Sequence, residues 1–131
     1  MWSARKQANV SVLSNNRQAW INTLRDQIAE FISIGAQFHS GDWSARGREA
    51  FDDKFERLVF IESKIKLLLN PNEEDHTRLV SLLERARNTL GNHGADSEGR
   101  RFPEWAELYQ EFVPLAQEIL KREWERVKKQ E

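Results

Sequence analysis

Apolar residues recur along the chain at steps of three and four. Trp20, Leu24, Ile28, Phe31, Gly35 and Phe38 hold one phase, and Ile21 and Ile32 widen the stripe. Asn22, Asp26, Gln27 and Glu30 fall on the opposite side. This is the pattern of an amphipathic α-helix. Two starts fit it. Asn15 or Asn16 would cap a helix that begins near Arg17; alternatively Val10, Leu13 and Arg17 carry the phase backward and the helix begins near Ser3. Gly41, within "HSGDWS", ends it.

A second stripe, Phe51, Phe55, Leu58, Ile61, Ile65, Leu68 and Leu69, predicts a helix from about Ser44 to the "NPN" at 70–72. Asn72 is then placed to cap a third helix, with Asp75 three residues on, a spacing close to the capping box. Glu73, Glu74 and Asp75 suit the positive end of that helix's dipole. Leu79, Leu82, Leu83, Ala86 and Leu90 form its apolar face, and Gly91 and Asn92 end it. "GNHGADSEGRR", 91–101, reads as a loop. Pro103 fits the first turn of a fourth helix. Its stripe runs through Trp105, Leu108, Tyr109, Phe112, Leu115, Ala116, Ile119, Leu120, Trp124 and Val127. Pro114 inside that stripe predicts a kink or a split.

No strand-period alternation, internal repeat or low-complexity tract competes with this reading. Four such helices, with two short connections and one longer one, predict an all-α fold: an antiparallel four-helix bundle with a long first helix and a Pro-kinked last helix. Residues 1–16 read as an N-terminal extension or juxtamembrane-like helix, and residues 17–131 as the bundle domain.

Composition narrows the function classes. With 131 residues the chain is the size of one domain. The absence of cysteine excludes disulfides and thiolate metal sites and fits a reducing compartment. A net charge of −1 gives no whole-molecule attraction to nucleic acid, so DNA is not an expected partner. No apolar run is long enough to span a membrane, and "MWSARKQANVSVL" lacks the apolar core of a secretory signal. A cytoplasmic location is the expectation.

Candidate chemistry is sparse. Arg17 precedes Trp20 by three, and Lys121 precedes Trp124 by three. Tryptophan and arginine anchor many interfaces, so Arg17, Trp20 and Trp124 are candidate partner-contact residues; the structural alternative puts both rings in the bundle core. Val10, Val12 and Leu13 lie beyond the expected end of the bundle and are the candidate self-association surface. Glu73 and His76 have the Glu-x-x-His spacing of di-iron bundles, but that chemistry needs a second pair and two further glutamates. Glu49 with Asp52, and Asp53 with Glu56, have magnesium-site spacing but lack a matching facing pair. No metal or cofactor is therefore expected.

Arg87, five intervening residues and His93 resemble the Arg-x(4–6)-His motif of HEPN-type ribonucleases, small all-α domains that commonly dimerise. Asn88 and Gly94 are similar to that family's pattern as well. The resemblance implies His93 as general acid/base and Arg87 as stabiliser of phosphate charge. RNA is a partner on that reading alone, and the predicted helix end at Gly91 loosens the geometry.

A broader resemblance rests on "SARKQANVSVLSNNRQAWINTLRDQIAEF", "KIKLLLNPNEEDHTRLVSLLE" and "EILKREWERVKKQE". These blocks resemble a group of uncharacterised bacterial proteins in which one N-terminal membrane-spanning helix precedes a cytosolic helical domain. The resemblance implies that residues 3–16 are juxtamembrane, with Arg5 and Lys6 on the cytoplasmic side of the inner membrane. It carries no activity. The expectation is a non-enzymatic module that contacts a protein partner or a second copy of itself, near the inner membrane face.

Overall fold

The structure is a computed structural model. It describes the backbone of residues 2–41, 43–93 and 104–130, and the side chains of 15–41, 43, 45–91 and 104–129. The elements are α1 (Trp2–Ser40), α2 (Trp43–Arg46), α3 (Arg48–Leu68), α4 (Glu74–His93) and α5 (Trp105–Gln130). Among the described residues there is no strand, and the four long helices form a bundle.

Helix α1 packs against both α3 and α5. Trp20 meets Leu68, Glu30 meets Arg57 and Phe38 meets Phe51, so numbers on α3 fall as those on α1 rise. Phe31 with Phe112 and Gly35 with Trp105 do the same along α5. Glu62 with Arg87 and Lys66 with Glu84 join α3 to α4; Asp75 with Arg122 and Arg85 with Glu111 join α4 to α5. The stripes read from the sequence meet in one core. It contains Leu24, Ile28, Phe31 and Phe38, then Leu58, Ile61 and Ile65, then Leu79 and Leu83, then Phe112, Leu115 and Ile119, with Phe55 packed against it.

Several boundaries differ from expectation, each for a local reason. Helix α1 runs unbroken past Asn15 and Asn16, so neither caps it; the backward phase through Arg17 is the one the backbone follows. The second helix does not begin at Ser44. A single turn, α2, comes first, and Gly47 at φ +93° breaks it from α3 in a conformation that glycine tolerates. That break lets Trp43 turn inward and close the end of the core. Its ring lies 4.9 Å from Phe38 and 5.8 Å from Phe51, with the Arg46 guanidinium 4.0 Å over its outer side.

Asn72 does not cap α4: the helix begins at Glu74, which puts Glu73 in the cap position, and the Asn72 backbone amide donates to Asn70 Oδ1 at 2.9 Å in the preceding turn. The Glu73 carbonyl instead accepts the first helical bond, from the Thr77 amide at 3.1 Å. Helix α4 also continues through Gly91 and Asn92 to His93. Glycine lowers helix propensity without forbidding it. Helix α5 is not split at Pro114. Pro114 and Gln110 are both exposed, so water can take the carbonyl that the missing amide leaves free.

Two helical glycines make opposite predictions. A Cβ at Gly35 would stand 2.4 Å from the Trp105 ring, whereas one at Gly91 would stand 3.5 Å from Phe55 Cζ, an ordinary contact. Gly35→Ala is expected to destabilise by about 1–2 kcal/mol, overpacking outweighing the propensity gain. Gly91→Ala is expected to stabilise by up to about 1 kcal/mol. Urea midpoints of the two variants against the parent chain check both signs.

Candidate functional site: a charged cleft at the turn between α3 and α4

The chain between α3 and α4 turns through Asn70, Pro71 and Asn72. The Asn70 amide donates to His76 Nδ1 at 2.8 Å. Trp20 of α1 lies over His76, with ring centroids 6.2 Å apart and planes 16° from parallel, and its Nε1 donates to the Leu68 carbonyl at 2.8 Å. The turn is thereby tied to α1 on one side and to the first turn of α4 on the other.

Helix α5 supplies the charges. Arg122 donates to both Asp75 oxygens and to Glu73, the bond from Nη2 to Asp75 Oδ1 being 2.9 Å. Arg126 Nη1 donates to Glu73 Oε1 at 3.0 Å and to Glu123 Oε1 at 2.6 Å. The Arg126 hydrogen bond, with the nearby guanidinium charges, holds the Glu73 carboxyl below its ordinary value. Burial alone would push Asp75 up; the Arg122 hydrogen bonds and charge more than reverse this and leave it lowered. The bond to Asp75 raises Arg122 in turn.

Beside this network lies an open cleft of about 430 Å³, lined by Asn16, Arg17, Trp20, Leu68, Asn70, Glu73, His76, Glu123 and Arg126. His76 is 2% exposed. Because Nδ1 accepts the Asn70 amide, the hydrogen-bond network assigns the proton of the neutral ring to Nε2. That Nε2–H reaches no acceptor in a hydrogen bond; Glu73 Oε2 is 3.4 Å away and out of line.

The tautomer bears directly on metal binding. Glu73, His76 and Glu123 bring potential ligand atoms within 4.8 Å of one another. A protonated Nε2 has no lone pair to give a cation, and both carboxylates already hold arginines. The trio does not fit a metal centre. Glu73 and His76 stood out in the sequence; Glu123 did not. Its signal was a carboxylate at a stripe position, one helical step from both Ile119 and Val127. Glu62 carries the same signal between Leu58 and Ile65. It is buried and held by Arg87 at 2.6 Å and Lys66 at 2.9 Å.

The other candidates fall in different places. Arg17 and Trp20 both line the cleft. Trp20 is half-buried, and Trp124, expected on or beside the apolar stripe, is 41% exposed. Arg87 is committed to Glu62 and to Asn88 Oδ1 at 2.9 Å. The side chains of His93, Val10, Val12 and Leu13 lie outside the described residues. Glu49, Asp52, Asp53 and Glu56 are exposed on α3, with Asp52 paired to Arg48 at 3.3 Å. No protein-family model, curated protein or solved structure matches the chain.

The lowered carboxyls of Glu73 and Asp75 fix a sign for acid behaviour. Their contribution is present above the ordinary carboxyl range, near pH 4–5, and is lost as pH falls through their lowered values. Arg122→Met is expected to cost about 1–2 kcal/mol at pH 7, a figure reduced for partial exposure. It should also flatten the loss of stability below about pH 4.5. Urea unfolding of parent and variant from pH 3 to pH 7 checks both expectations.

Proposed function

We propose that the chain is a non-catalytic helical interaction module that associates with a second copy of itself through the Trp2 end of α1. One observation carries this reading, the unequal reach of the helices. Measured from the contact of Gly35 with Trp105, α1 extends about 50 Å toward Trp2 and α5 about 38 Å toward Gln130. Helix α3 ends, and α4 begins, at the level of Trp20. Past that level neither α3 nor α4 extends, while α5 continues to Gln130 and its Arg126 shares a cleft with Asn16 and Arg17 of α1. Two helices side by side leave apolar flanks that a four-helix section would cover, and a short isolated helical arm is marginal in water.

Val10, Val12 and Leu13 belong to this stretch. A second copy would supply the two missing helices. Set at the inner membrane face, as the family resemblance implies, the module would point this end toward lipid.

The test is the solution mass of the full chain at several concentrations. A dimer is expected, with the Val10→Asp/Leu13→Asp double variant monomeric and its helical circular dichroism largely kept. A parent chain that is monomeric at about 100 μM, far above a micromolar constant, would remove the reading. RNA cleavage abolished by His93→Ala would replace it.

A further inference from the structure

The cleft beside the turn joining α3 and α4 presents hydrogen-bond donors without matching acceptors. The most constrained is His76 Nε2–H. It is buried, its proton is placed by the Asn70 amide at the opposite nitrogen, and no acceptor is aligned with it. A buried donor left unmet is costly, and polar interiors normally answer it with a partner. Arg17 is the second. It lines the same cleft and has no ion-pair or hydrogen-bond partner among the described residues. Arg126 is the third, since both of its hydrogen bonds use Nη1.

Five of the six acid oxygens of the wall are already engaged. Both Glu73 oxygens accept from arginines, as do both Asp75 oxygens, and Glu123 Oε1 holds Arg126. Among the described residues, no oxygen of the cleft meets His76 Nε2–H or Arg17 in a hydrogen bond. Trp20 and Leu68 add an apolar wall beside the donors.

We propose that this cleft binds a small organic acid, its carboxylate oxygens taking His76 Nε2–H and the Arg17 and Arg126 guanidiniums, its apolar body lying on Trp20 and Leu68. Charge favours a monoanion over a dianion. Arg17, Arg122 and Arg126 balance Glu73, Asp75 and Glu123, so the surroundings sum to zero. A monoanion is tolerated there, whereas a phosphate dianion faces two carboxylates with no net positive field to offset it. An arginine fork also matches carboxylate geometry. The cleft's volume suits a ligand of a few carbons.

The experiment is a titration of the ¹⁵N-labelled full chain with sodium acetate, sodium butyrate and inorganic phosphate at constant ionic strength. The readouts are the Trp20 indole N–H and the His76 ring resonances. The expected result is saturable shifts with both carboxylates, butyrate binding more tightly than acetate, and phosphate binding more weakly than either. Arg17→Ala should raise the butyrate dissociation constant at least tenfold with the remaining indole resonances unmoved. His76→Asn retains an acceptor for the Asn70 amide while removing the Nε2–H donor, and it should weaken binding in the same direction. If that variant does not fold, Arg17→Ala decides alone. Shifts that never saturate, an unchanged constant in Arg17→Ala, or tighter binding of phosphate would each overturn the proposal. Self-association is read from solution mass on the same samples, so the two readings stand or fall separately.

Discussion

Helix α1 has one apolar face and must give it to two neighbours. Its stripe is therefore broad, with Leu24, Ile28, Phe31, Ile34 and Phe38 all buried while Ile32 and Trp20 flank them. The width has a geometric consequence. Both α3 and α5 have to approach closely, and at Gly35 the Trp105 indole occupies the place a side chain would take. At the other end the same demand brings Trp20 against the turn after Leu68. Everything polar at that end is organised by what Trp20 and α5 leave uncovered.

The two ends of the bundle answer the same problem with different chemistry. Where α1 meets α2 and α3, aromatic rings pack on one another, mostly tilted or edge to face: Phe38, Trp43, Phe51 and Phe55. Where α1 meets the turn leading into α4, carboxylates and guanidiniums interlock around a histidine. An aromatic plug needs no partner once closed. A charged wall built from shared hydrogen bonds leaves directional groups over, and those define a place where another molecule can be read.

Most of the fold was legible because helical periodicity is redundant. Losing one position, such as Glu62 or Glu123, does not erase a stripe carried by six others. Boundaries were less legible, because they turn on single local competitions. Asn72 was a sound cap by residue type, yet the Asn70–Asn72 turn carries the chain one residue further before the helix starts at Glu74. Gly91 looked like a stop, yet with an open face and only Phe55 near it nothing forces the helix to end. The cleft was half legible. Arg17, Trp20, Glu73 and His76 each stood out, but their convergence depends on three-dimensional register that no spacing along one helix encodes. Glu123 was hidden among the charges of α5, although its position on the apolar phase marked it.

The packing of Trp105 over Gly35 also limits how α1 can move. A helix that slides by one turn brings the residue three or four places away into each contact, which here means Phe31, Ile32, Phe38 or His39 in the space now filled by the indole. None of them fits. Piston motion along the axis is therefore closed to α1. Any influence passed from its Trp2 end toward the aromatic plug would have to travel as bending or as rotation about the axis.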